Sequence, residues 1–166
     1  MHAKKVIRSQ YLAALEMLKQ AVEKCPDALW NASKDKNKFW QVAYHALFYA
    51  HLYLQKNVSD FVPWVKHQDG FEQPGRTDGA AAAAYGREEI LAYLAICQEE
   101  VSEKTRTLDL EAPSGFEWLP FGKLELQIYN IRHIQQHAGE LYERLGARES
   151  IDVDWVSSCP DYLAEF

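Results

Sequence analysis

Apolar residues recur every three or four positions over four separate stretches of the chain. In the first, residues 3–24, Ile7, Tyr11, Leu15, Leu18 and Val22 fall on one face of a 3.6-residue helix. Cys25-Pro26 ends it, because the residue before a proline is biased out of the helical region. Residues 31–37, Asn-Ala-Ser-Lys-Asp-Lys-Asn, read as a polar connection. The second stretch, 38–55, places Phe39, Val42, Ala43, Ala46, Leu47, Ala50 and Leu54 on an inner stripe, with Tyr44, Phe48 and His51 on flanking faces. A helix apolar around this much of its circumference is covered on several sides.

Residues 56–84 break the periodicity. Pro63, Gly70, Pro74, Gly75 and Gly79 punctuate them, with Phe61, Trp64 and Phe71 between. The segment reads as a long crossover that packs its aromatics on the helices. The alanine run 80–84 leads into or opens the third helix, whose stronger signal spans 85–107. Glu88 and Glu89 stand in its first turn, where the helix dipole favours acids, and Ile90, Leu94, Cys97 and Val101 form its stripe. Residues 109–122 are a second break, with Pro113, Gly115, Pro120 and Gly122. In the fourth helix, 123–145, Ile131, Ile134, Ala138, Leu141 and Leu145 alternate spacings of three and four, the seam of an antiparallel bundle. Gly146 stands where a C-terminal cap belongs. The tail, 147–166, carries Ile151, Val153, Trp155 and Val156 and is expected to lie along the bundle. The pattern predicts an all-α four-helix bundle, with residues 1–166 forming a single domain.

Composition narrows the function. With 48% apolar and 25% charged residues the chain is globular in character, which argues against wholesale disorder. Lys plus Arg number 18 against 24 Asp plus Glu, and the net charge of −6 argues against nucleic acid as a partner. The cysteines, Cys25, Cys97 and Cys159, are odd in number and form no C-x-x-C pair, so neither a disulfide framework nor a cysteine zinc site is expected. Arg8 and Glu16 interrupt the N-terminal apolar residues, so no signal-peptide core forms. The longest run without Asp, Glu, Lys or Arg, Phe39 to Gln55, holds two His and two Gln and falls at or below the ~17 to 25 residues of a membrane span. The expectation is a cytoplasmic protein that engages neither membrane nor nucleic acid.

Of the six histidines, His133 and His137 are four apart on the fourth helix, so their rings project from one face, one turn apart. Two imidazoles so placed can bite one metal ion. Alone the spacing is weak, since six histidines in this length give roughly 0.2 such pairs by chance. Other residues strengthen it. Leu126, Asn130 and Glu140 share that face, a polar stripe beside the apolar seam. His45 sits in the most apolar segment of the chain, where a polar ring needs a partner. Three imidazoles from two helices suit a catalytic-type site with an open position. His133-Ile134-Gln135-Gln136-His137 lacks the Glu of H-E-x-x-H, and no Glu-x-x-His occurs, so neither a metallopeptidase nor a carboxylate-rich di-iron bundle is expected.

Several other side chains have a plainer reading. Glu140, three residues after His137, either hydrogen-bonds a ligand ring or is a solvated helix carboxylate. His51 lies 240° around the helix from His45 and reads as a surface or dimer-interface residue. His67 reaches the site only if the crossover folds over it, and His2 reads as disordered. Trp40, Trp118 and Tyr44 read as core. Arg132 reads as a surface ion-pair partner, and Cys159 has no basic neighbour to activate it.

Two strings and the tail carry a family resemblance. Phe39-Trp40-Gln41-Val42-Ala43-Tyr44-His45, residues 129–141 (Tyr-Asn-Ile-Arg-His-Ile-Gln-Gln-His-Ala-Gly-Glu-Leu) and the Trp155-Val156 ending resemble the DinB/YfiT-like superfamily of bacterial four-helix bundles. The resemblance implies an up-down-down-up bundle holding one divalent metal ion, nickel, zinc or iron, on His45, His133 and His137. It implies a transferase or hydrolase that uses a low-molecular-weight thiol or water as nucleophile on a small-molecule substrate. The alternative is a non-catalytic stress-response or binding bundle whose metal is structural or incidental. A homodimer is expected from the excess of aromatics, including Phe48, Tyr49 and Tyr53 on secondary helix faces.

Overall fold

The protein is described by a computed structural model, covering residues 2–74 and 84–159. Among these described residues it is all-helical, with five α-helices: α1 (His2–Lys24), α2 (Asp27–Trp30), α3 (Phe39–Tyr53), α4 (Arg87–Thr107) and α5 (Lys123–Glu149). A 3-10 turn, Val58–Asp60, follows α3. Among the described residues there is no sheet, only an isolated bridge between Pro113 and Gly122. Most of the alanine run, and Gly75 and Gly79, lie outside the described residues, as does the side chain of His2.

The stripes close on one another as their periodicity requires. Helices α1 and α3 each pack against both α4 and α5, which puts α1 and α3 across the core from one another. Tyr11, Leu15, Leu18 and Val22 of α1, Leu47 of α3, Ile90 and Leu94 of α4, and Ile134, Leu141 and Leu145 of α5 are all buried there. In α3 every residue is buried except His45 and Tyr49, one turn apart. The least polar helix of the chain therefore turns one narrow strip outwards, and a histidine is on it.

Buried amides set the register of α5 on α3. Gln127 takes a hydrogen bond from the Tyr11 hydroxyl at 2.8 Å and donates to the Tyr53 carbonyl at 3.2 Å. Asn130 donates to the Ala50 carbonyl at 3.2 Å. A slip of one residue would strand these amides without partners, at about 1–3 kcal/mol each. His133 and His137 follow on the same helix, so the same pins fix them relative to His45.

The crossover covers α3 with its aromatics, as expected. Trp64 stacks on Tyr93 of α4 with centroids 4.8 Å apart, Phe61 meets Phe48 edge-on at 5.2 Å, and Phe71 lies 5.2 Å from Trp40. Phe48 and Tyr53, which as unpartnered aromatics suggested a dimer flank, are buried within the chain. Lys123 opens α5 and is buried, donating from Nζ to the carbonyls of Gln55, Lys56 and Ser114. It fastens the 109–122 connection to the end of α3. Gly115 makes that approach possible. Its φ is +87°, and a Cβ there would fall 2.0 Å from the Lys56 carbonyl oxygen.

Two expectations about boundaries are corrected. Helix α2 is an additional element. Pro26 supplies the extended residue at its start, and Leu29 is buried beneath it. Helix α5 does not stop at Gly146 but continues to Glu149, and Ser150 takes the left-handed conformation at φ 55°. The N–H of Ser150 bonds the Gly146 carbonyl at 3.2 Å, the bond of an αL cap, and that of Ile151 bonds the Leu145 carbonyl, also at 3.2 Å. The tail then runs back along α1. Lys24 donates to the Asp152 carbonyl at 2.9 Å, Gln20 accepts from the Asp154 N–H at 3.1 Å, and Gln10 donates to the Ser157 carbonyl at 3.1 Å. Among the described residues no helix is long and apolar enough to cross a membrane.

Candidate metal centre

His45 comes from α3, and His133 and His137 come from α5. Their ligand atoms lie within 4.8 Å of one another, the one such group of three among the described residues. His133 Nε2 is 3.0 Å from His45 Nε2 and 3.2 Å from His137 Nε2.

The partners of the other ring nitrogens decide what those three atoms can do. His45 Nδ1 is 2.5 Å from the Glu72 carbonyl oxygen, which can only accept, so Nδ1 carries the proton and Nε2 a lone pair. His137 Nδ1 faces the Glu140 carboxylate at 3.3 Å, with the same consequence for its Nε2. Two lone pairs therefore point at His133 Nε2, and a neutral ring there offers at most one proton between them. A cation among the three nitrogens satisfies all of them. Nitrogens bound tetrahedrally at 2.0–2.1 Å lie about 3.3 Å apart, close to the spacing found. A bound proton is disfavoured instead, since burial, with the adjacent His137 and His45 rings, pushes the His133 ring down to about 3. Burial also lowers His45, outweighing its bond to the Glu72 carbonyl. Neutral imidazole is the form that coordinates metal.

The half-exposed Glu140 carboxylate is paired through both oxygens. While Oε2 faces His137, Oε1 accepts from Arg144. Arg144 also donates to the Asn37 carbonyl at 2.8 Å and lies 3.8 Å from buried Asp35, which Arg148 holds at 2.7 Å. The hydrogen bond from Arg148 keeps the Asp35 carboxyl below its usual range. This chain of charges ties the His137 ring to the connection between α2 and α3. A carboxylate so anchored fixes ring orientation and tautomer and raises the basicity of the ligand nitrogen.

A cleft of about 500 Å³ opens beside the triad, bounded by His45 and His133 on one side and by Tyr49, Tyr53, Trp118 and Glu72. Sequence reasoning did not single out Glu72, which lies in the aperiodic crossover. The outward strip of α3 could have pointed to Tyr49, one turn after His45. Trp118, read as core, is 55% exposed at the cleft. Lys123 fastens the connection that carries it to the end of α3.

The remaining histidines lie elsewhere. His51 is buried, not at the surface as its helical angle suggested. Phe61 of the crossover covers it edge-on at 5.1 Å, and its Nδ1 meets the Tyr93 hydroxyl at 3.2 Å. His67 does not join the triad. Its Nδ1 pairs with the Tyr44 hydroxyl at 2.6 Å and its Nε2 with Asp69 at 3.4 Å. Tyr44 and Trp40 are buried, as expected, whereas Arg132 is exposed. Cys159 is half-buried at the end of the described tail.

Comparison with curated proteins and with solved structures returned no match. A family description does match: residues 10–141 fit the DinB superfamily, a span that takes in most of α1, all of α2, α3 and α4, and all three histidines of the triad. The chain belongs to the DinB superfamily.

Proposed function

We propose that this chain is a divalent-metal protein in which His45, His133 and His137 hold one nickel, zinc or iron ion. In this reading it is a metal-dependent transferase or hydrolase acting on a small molecule in the cleft. The observation that carries the reading is the convergence of three imidazole nitrogens at 3.0 and 3.2 Å, two of them with their protons committed elsewhere. A bound dication supplies Lewis acidity, which lowers the pKa of a water or thiol held there. The choice of a thiol comes from the family resemblance alone, as does an up-down-down-up order of the helices.

The chain's own groups have separable tasks. Glu72, through its main-chain carbonyl, and Glu140, through its carboxylate, hold the His45 and His137 rings with Nε2 turned inwards. Tyr49, Tyr53 and Phe48 wall the cleft and exclude water from one side of it. The second reading, a structural metal in a non-catalytic binding or stress-response bundle, needs a closed site. The cleft bounded by His45 and His133 favours the open one.

Thermal melting with and without a chelator tests the reading. A metal that binds only the native state stabilises by about 2.7 kcal/mol at a hundredfold excess over Kd, roughly 5–11 °C for a chain of this size. Chelation should remove that increment from the wild type at pH 7.5 and leave His133→Ala unmoved. An equal response of the two proteins would refute the site.

A further inference from the structure

The cleft has a wall that the histidines leave unused. Tyr49 and Tyr53, one turn apart on α3, have ring centroids 5.4 Å apart, and Tyr129 of α5 meets Tyr53 at 6.0 Å. Trp118 reaches over from the 109–122 connection and donates its indole N–H to the Tyr53 hydroxyl at 3.3 Å. It is held in place by that bond although 55% of it is exposed, an arrangement that a core role does not explain. On the crossover side stands Glu72. Its Oε2 is shut away from solvent with no hydrogen-bond partner, and Oε1 accepts, among the described residues, from the Gln73 amide at 3.4 Å. A buried carboxylate oxygen without a donor costs stability unless something else meets it. Among the described residues no lysine or arginine lines the cleft.

We propose that this end of the cleft receives an organic ammonium group. The faces of Tyr49, Tyr53, Tyr129 and Trp118 pack on its alkyl shell and attract its charge through their ring quadrupoles, and Glu72 neutralises it. An anionic head group would be repelled by Glu72, and a neutral alkyl one would forgo the attraction of both the carboxylate charge and the ring quadrupoles. Because the His45 and His133 rings bound the same cleft, the substrate class is a small molecule with an ammonium group at one end and a metal-binding donor at the other. That second half rests on the metal reading, whereas the ammonium receptor stands without it.

The test is calorimetric titration of the full chain, metal-free and zinc-loaded, with choline and with its neutral isostere 3,3-dimethylbutan-1-ol. Choline should bind saturably to both forms, and the neutral isostere roughly fivefold more weakly or worse. Glu72→Gln and Trp118→Ala should each weaken choline by about fivefold. Trp118 is exposed, so its variant keeps the fold. Equal binding of choline and the isostere, choline binding unchanged in both variants, or no saturable choline binding would each overturn the inference. Choline binding that obeys these rules in a protein that fails to take up zinc would support the receptor and refute the metal reading.

Discussion

Replacing Lys123 by Met probes how the fold presents the cleft. The ammonium of Lys123 is buried where α5 begins and donates to three main-chain carbonyls, of Gln55, Lys56 and Ser114. Methionine matches the length of the side chain but donates nothing. Three carbonyls lose a charged donor, and those that water cannot reach cost about 1–3 kcal/mol each. Burying the ammonium had its own desolvation penalty, which the substitution relieves, so the net loss should be about 2–4 kcal/mol. For a chain of this length that is a fall in melting temperature of roughly 5–15 °C. The damage should be local, because the clamp joins the end of α3 to the connection that carries Trp118. Calorimetric melting gives the stability, and protease cleavage between residues 109 and 122 gives the locality. A variant as stable as the wild type, or cleaved elsewhere first, would refute the clamp.

Glu140→Gln keeps the shape of the side chain but weakens its grip on His137, and should lower zinc affinity about 10- to 100-fold without moving the metal-free melting temperature by more than a few degrees. Competition with a chromophoric chelator reads the first and calorimetry the second; unchanged affinity would return Glu140 to the status of a solvated carboxylate. Metal-free protein should lose stability as pH falls from about 6.5 towards 3, a window set by His133, whose folded value lies near 3 against an unfolded 6.5. The unfolded ring takes up a proton there and the native ring does not, so the native state binds fewer protons and stability rises with pH. The same melting series on metal-free His133→Asn should have a visibly shallower slope, and an identical slope would remove His133 as its cause.

The parts of the molecule with a period could be read in advance. Ile7 to Val22, Phe39 to Leu54, Ile90 to Val101 and Ile131 to Leu145 are repeats long enough for burial to overrule local propensity, and each became a helix face. The site was legible for the same reason: His133 and His137 lie one helical turn apart, and His45 is a polar ring in an apolar helix. What had no period was hidden. Helix α2 is too short to repeat. Glu72 lies 27 residues from the histidine whose ring its carbonyl holds. His51 was turned correctly away from His45, but helix geometry says nothing of Phe61, which covers it from the crossover. At the end of α5, glycine preference pointed to Gly146. The ion pairs of Arg144 and Arg148 with Asp35 favour another turn, and Ser150 takes the left-handed position.

The central claim is that three histidines from two helices bind one metal ion. X-ray absorption at the zinc edge tests it most directly, on protein purified without a nickel column and then loaded with zinc. The account predicts one ion per chain with three imidazole nitrogens at 2.0–2.1 Å and at least one further light ligand, falling to two imidazoles in His133→Ala with much weaker retention. A wild-type spectrum with fewer than three imidazoles, or one that His133→Ala leaves unchanged, would contradict it.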